Sequence, residues 1–300
     1  MVLRAIEPSV QRRQLLGLGL GLAPWAQATA APPAGSSSAP SSLPTPPLRP
    51  VAPTLLSGYG LARNWDFRAS MRTTEALRSE FHTRYVWDNG RVDFLNDEWS
   101  RYRDNRNHVF TDSGLSLVAR AARDLAPGGI ESGMIRSKWS GRYGVFEASM
   151  KVPSGRGTWP AFWLAAEDGG WPPEIDAVEI VNNAADGTRR SYHYLHGAGL
   201  RGRRTKSSRL DRHAAYSPGT DYAQQFHVFA VEWTSDSVRH YVDDVLVADR
   251  EYAWIHDDGR DGGAAHVIAC LAVGGKWPGP PPADSLPAAL DIEYIRVWQR

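Results

Sequence analysis

Apolar and polar side chains alternate at a spacing of two through Ser113–Arg120, Gly144–Val152, Phe226–Trp233 and Asp291–Trp298. A period of two sends successive side chains to opposite faces of an extended chain, so each segment predicts a half-buried strand. Val238–Val247 predicts two short strands around an Asp243-Asp244 turn. Clusters of Gly, Pro, Asn and Asp separate these segments, as in an antiparallel sandwich. Helical spacing is scarce, and its best stretch is the short Ala119–Leu125. The pattern predicts one all-β sandwich domain over residues 55–300.

Upstream the pattern changes. Arg12-Arg13 precedes the apolar run Leu15–Ala23, and small-residue motifs follow at Ala26-Gln-Ala28 and Ala28-Thr-Ala30. A basic start, a short apolar run and an A-x-A site predict an export signal over residues 1–30. The paired arginines point to the bacterial twin-arginine route, with a periplasmic or extracellular product. The apolar run is too short for a permanent bilayer span, so the mature form is expected off the membrane. Residues 31–54 are rich in Pro, Ser and Ala and predict an extended linker.

Composition narrows the function classes. Lys plus Arg number 34 against 33 Asp plus Glu, a net charge of +1, so no global field favours nucleic acid. The single cysteine, Cys270, excludes an intramolecular disulfide, and its apolar setting predicts a buried structural thiol. A monomer is expected. No glycine-rich nucleotide fingerprint precedes a predicted helix, and H-E-x-x-H, C-x-x-C and G-x-S-x-G do not occur.

Chemistry concentrates in Glu174-Ile-Asp-Ala-Val-Glu179, where three acids are interleaved with apolar residues. Apolar spacers mark a strand, on which Glu174 and Asp176 share a face. Glu179 is five positions from Glu174, an odd step that strict alternation sends to the other face. A β-bulge around Ala177–Val178 absorbs one residue and restores a common face. Three acids on one short face repel one another, and that crowding drives their protonation apart. Glycoside hydrolysis uses such a pair of carboxyls, one protonated and one ionised. Glu174 and Glu179 are the candidate nucleophile and general acid/base, and spacing alone leaves the two roles interchangeable. Asp176 is the candidate that tunes Glu174.

Trp159-Pro-Ala-Phe-Trp-Leu164 followed by Glu174–Glu179 resembles the signature of glycoside hydrolase family 16, the laminarinase and lichenase family, in its bulged E-x-D-x-x-E branch. Glu131–Lys138 and Tyr143–Glu147 resemble the preceding strands. Phe226–Trp233, Tyr241–Asp244, Ala272–Gly279 and Asp291–Trp298 resemble the following ones. The resemblance implies a jelly-roll β-sandwich of the concanavalin A type with a concave sugar cleft. It also implies retention of anomeric configuration, with Glu174 as nucleophile and Glu179 as acid/base. The implied partner is a polysaccharide, a β-1,3- or β-1,3/1,4-glucan or a related bacterial exopolysaccharide, cleaved internally. A transglycosylase using the same acids and a non-catalytic polysaccharide-binding sandwich are the alternatives. Some family members hold a structural calcium through an acid in the last strand. Glu293 stands there, a weak basis for the ion, and no cofactor is expected to be required.

Aromatic rings are candidate cleft walls. Trp159 and Trp163 are four apart on a strand and share a face. Trp233 and Trp277 lie in segments that resemble cleft-lining strands. His196 follows Tyr192 and Tyr194 on one face, a candidate partner for sugar or acids. His193 and His196, three apart, face opposite ways, which argues against a metal pair. Residues 94–108 resemble a cleft-rim loop, with Glu98, Tyr102 and Asn107 as candidate sugar ligands. The basic cluster Arg201–Lys206 is a candidate contact for acidic polymers.

Overall fold

A computed structural model describes residues 56–85, 87–104, 106–123, 128–198 and 209–300. The expected export signal, the linker and the basic cluster at residues 201–206 lie outside them.

Seventeen strands follow one another among the described residues. They are β1 (Gly60–Asp66), β2 (Phe81–His82), β3 (Ser100–Tyr102), β4 (His108–Thr111), β5 (Gly114–Ala121) and β6 (Ile130–Ser132). β7 (Met134–Gly141), β8 (Gly144–Lys151), β9 (Thr158–Ala166), β10 (Glu174–Glu179), β11 (Ser191–Ala198) and β12 (Arg209–Tyr216) come next. β13 (His227–Trp233), β14 (Ser237–Val242), β15 (Val245–Glu251), β16 (Ala265–Val273) and β17 (Ala288–Gln299) complete the series. Ten strands form one sheet, along β15-β14-β13-β8-β17-β5-β6-β3 with β1 beside β17 and β4 beside β5. Seven form the other, in the order β12-β11-β10-β9-β16-β7-β2. All pairings are antiparallel except β3 with β6. Two sheets with these crossovers make the expected jelly-roll sandwich.

The alternation read from the sequence sorts side chains between the two sides of the seven-stranded sheet. From β9, Phe162, Leu164 and Ala166 enter the core between the sheets. Ala161, Trp163 and Ala165 face the other way and pack with Tyr85, Tyr102, Met134, Ile268 and Cys270. Strands β14 and β15 join through Asp243 and Asp244, at φ 47° and 67°. Positive φ at both central residues is the hairpin turn that Asp tolerates and bulkier residues resist.

The helical expectation at Ala119–Leu125 fails. Ala119 pairs with Ala288 inside β5, and Leu115, Leu117 and Ala119 line the core at strand spacing. Residues 124–127 lie outside the described set. Helix instead forms at α1 (Thr74–Glu80) and α2 (Trp87–Gly90). Thr73 caps α1, its hydroxyl accepting from the Ala76 amide at 3.1 Å. Described residues include no helix long and apolar enough to cross a membrane.

Candidate active site

The three acids sit on β10, in the seven-stranded sheet. Against β9, Glu174 pairs with Ala165, Asp176 with Trp163, and Val178 with Phe162. The register slips between Asp176 and Val178, so Ala177 is the extra residue of a bulge. Ile175, Ala177 and Val178 all enter the core. With two successive residues turned inward, Glu179 returns to the face that Glu174 and Asp176 occupy. The bulge expected from the spacing is present where the parity argument requires it.

On the other side of β10, β11 lays one ring opposite each acid. His196 pairs with Glu174, Tyr194 with Asp176, and Tyr192 with Glu179. His196 Nε2 lies 3.8 Å from Glu174 Oε1 and 3.1 Å from Asp176 Oδ2. Ligand atoms of Glu174, Asp176 and His196 fall within 4.8 Å of one another, the one group among the described residues that could hold a metal ion. Trp159 Nε1 donates to Glu179 Oε1 at 3.0 Å.

Electrostatics separates Glu179 from an ordinary carboxyl. Burial, then the charges of Asp176 and Glu174, push it well above the usual range; His196 and the Trp159 hydrogen bond pull the other way. A carboxyl pushed up in this way holds its proton more tightly than an ordinary one, the direction that general-acid chemistry uses.

Aromatic rings wall the acids on both flanks. On one, Trp277 meets Trp159 at 5.3 Å, Tyr192 at 5.1 Å and Tyr194 at 5.9 Å between ring centroids. Tyr194 stacks on His196 at 5.7 Å, and Trp171 meets His196 at 5.8 Å. On the other, Tyr85 lies 6.0 Å from Trp163, and Trp87 lies 5.0 Å from Tyr85. The acids lie on the floor between these walls.

Not every expected sugar ligand reaches that floor. Trp233 is 1% exposed, part of the core between the sheets, and packs on Trp254 at 4.6 Å. It belongs to β13 of the opposite sheet, so it is a core residue. Asn107 is fully buried and spends its amide on the Val118 carbonyl at 2.7 Å, fastening a loop. Glu98 and Tyr102 are also buried; Glu98 accepts from the Leu95 amide at 2.6 Å and from the Tyr102 hydroxyl at 2.9 Å. They brace the rim segment from behind rather than present hydroxyl-binding groups. Trp159, Trp163, Trp277 and His196 are on the acid face as expected. Cys270 is buried beneath that face, its thiol pushed up to about 12 by burial.

Glu293, the acid of the last strand, is engaged by neighbouring side chains. Its two oxygens take the Arg68 guanidinium at 2.9 Å and the Ser149 hydroxyl at 2.5 Å.

Sequence reasoning missed Tyr252. Tyr252 Oη accepts from the Glu174 amide at 3.2 Å and donates to the His196 carbonyl at 2.8 Å, a brace beneath both residues. It lies 78 positions from Glu174, and no local pattern marks the pairing.

The chain is similar to several known proteins. A β-glucanase of Rhodothermus marinus is 35% identical over 187 residues, covering 55% of this chain and 60% of that protein. A β-1,3-glucan-binding protein of Penaeus monodon is 31% identical over 217 residues, 64% of this chain and 56% of that one. The chain thus spans little more than half the length of either. The laminarinase catalytic domain of Thermotoga maritima superposes with a TM-score of 0.63 at 26% identity, covering 81% of this chain and 98% of that one. The profile of the family described as "Glycosyl hydrolases family 16" matches residues 86–294, more than half of the sequence, and the chain belongs to that family.

Proposed function

We propose that this chain is a retaining endo-β-glycanase acting on β-1,3- or mixed β-1,3/1,4-linked glucan. Glu174 attacks the anomeric carbon, and Glu179 protonates the departing glycosidic oxygen. Water then hydrolyses the glycosyl-enzyme with Glu179 as base. Retention calls for two carboxyls about 5–5.5 Å apart. Asp176, with His196 beside it, lies next to Glu174 on the strand and pushes Glu179 toward its protonated form.

The carrying observation is the bulge at Ala177, which sets all three acids on one face with Glu179 biased toward its protonated form. The β-glucanase and laminarinase relatives support the glucan as substrate class. A second reading, glucan binding without cleavage, draws on the glucan-binding relative. Export by the amino-terminal segment belongs to the same proposal.

The test is cleavage of β-1,3-glucan, mixed-linkage glucan, galactan and acidic exopolysaccharides by the wild-type protein and by Glu174→Gln and Glu179→Gln. Shortened products with retained configuration in early NMR spectra, absent from both variants, are expected. Inverted products would refute the double displacement. Binding without cleavage by the wild-type protein would establish the second reading.

A further inference from the structure

A bulge exposes backbone that the ladders on both sides no longer satisfy. Ala177 has no partner in either ladder, and opposite Ala177 and Val178 strand β11 supplies a single residue, His193. Tyr192 and Tyr194 face the acids, so His193 faces the core, where it is fully buried. Its Nδ1 lies 2.7 Å from the Ala177 carbonyl oxygen and its Nε2 2.9 Å from Ser191 Oγ. From the opposite sheet, His240 enters between the inward Val238 and Val242. It places Nε2 3.2 Å from the carbonyl oxygen of Asp176. The two rings meet edge to face at 5.3 Å.

Carbonyl oxygens only accept, so the facing nitrogens carry the protons: Nδ1 in His193 and Nε2 in His240. Burial favours the neutral ring in both, taking His193 down to about 4. Neutral rings suit a core in which an unpartnered carbonyl would be costly. Two successive carbonyls of the bulge are thus each met by an imidazole, one from within the sheet and one from across the sandwich.

We propose that His193 and His240 are positioning residues that fix the peptide planes of Asp176 and Ala177, and through them hold Glu179 in register with Glu174. The inference rests on the reading of Glu174 and Glu179 as the catalytic pair. A slip of one residue would turn Glu179 away from the cleft. A displacement of about 1 Å at a reacting group can cost on the order of a hundredfold in rate.

Amide side chains provide the test, because the nitrogen of Asn sits near an imidazole Nδ1 and that of Gln near Nε2. His193→Asn and His240→Gln should keep kcat on mixed-linkage glucan within about twofold. His193→Gln and His240→Asn should lower it at least about tenfold, or ~1.4 kcal/mol of barrier. KM should change by less than about twofold, since the aromatic walls are untouched. Assays run well below every variant's thermal midpoint separate this effect from stability. Equal kcat for Asn and Gln at both positions overturns the proposal. Independently of any variant, ¹⁵N shifts of the wild-type imidazoles should report Nδ1–H for His193 and Nε2–H for His240, and the opposite tautomer at either overturns it. Failure of the catalytic reading shows separately, as activity that survives Glu174→Gln.

Discussion

Replacing Trp159 with Phe should extend the activity profile toward higher pH by about one unit. The substitution keeps an apolar ring at the edge of Trp277 and removes one donor, the Nε1–H that reaches Glu179 Oε1 at 3.0 Å. That bond favours the ionised carboxyl and opposes the burial and like charges that push Glu179 up. A hydrogen bond to a charged group contributes about 1.5–3 kcal/mol. Glu179 opens partly to the cleft, so the lower end applies, and ~1.4 kcal/mol equals one pH unit. Loss of the donor therefore raises the Glu179 pKa. Glu179 must hold a proton in the first step, so activity falls as pH rises through that pKa, and the fall is delayed in the variant. The assay is kcat/KM for reducing-end release from soluble mixed-linkage glucan between about pH 4 and 9. This ratio reports the free enzyme's acid and base. An alkaline limb that stays in place or moves to lower pH would refute the assignment of Glu179 as the acid.

Four further outcomes follow from the same geometry. Asp176→Asn removes the leading like charge on Glu179 and should move the alkaline limb in the opposite direction, to lower pH, with kcat reduced. Glu179→Gln should abolish cleavage yet raise the thermal midpoint. The raised carboxyl binds more protons folded than unfolded, so the wild type loses stability as pH climbs above about 4.5 and the variant does not. Each unit of that shift is ~1.4 kcal/mol, or about 3–6 °C, and equal midpoints at pH 8 would contradict it. Tyr252→Phe strips the hydroxyl shared by the Glu174 amide and the His196 carbonyl, and should cost about 1–3 kcal/mol in urea unfolding while lowering kcat. Trp277→Ala removes the half-buried ring that meets Trp159, Tyr192 and Tyr194. It should raise KM for oligosaccharides several-fold with kcat little changed, measured by steady-state kinetics.

The acids were legible because their placement is a matter of local parity. Glu174 and Asp176 two apart on a strand, then Glu179 at an odd step among apolar residues, admit one way of sharing a face. Strand β10 takes it by turning Ala177 and Val178 inward together. The same parity read Trp159, Trp163 and His196 onto the acid face. It did not read Trp233, because alternation says that a residue points off one side of its strand without saying which side is core. That choice is made by the stacking of the two sheets, which seals Trp233 against Trp254. Glu98, Tyr102 and Asn107 were misjudged for a related reason. Polar residues in a loop read as solvent-facing, yet each here satisfies a buried partner in the loop that braces the cleft wall.

A bulge under a cluster of acids creates two demands at once. The cleft needs Glu179 outward, and the core must then accept two adjacent inward residues, one of which, Ala177, has no register partner on either side. Purely aliphatic packing answers the first demand and offers the Asp176 and Ala177 carbonyls no donor from the core. His193 and His240 answer both, since each fills core volume and presents one N–H to one carbonyl oxygen. His193 could have been found from the sequence, as the inward residue between Tyr192 and Tyr194 on a strand whose outward side belongs to the acids. A polar side chain at such a position requires a partner, and the one backbone group certain to lack its own is the residue that the E-x-D-x-x-E spacing forces out of register. His240 could not have been found that way, because its partner lies 64 positions away across the sandwich and only the packed sheets bring them together.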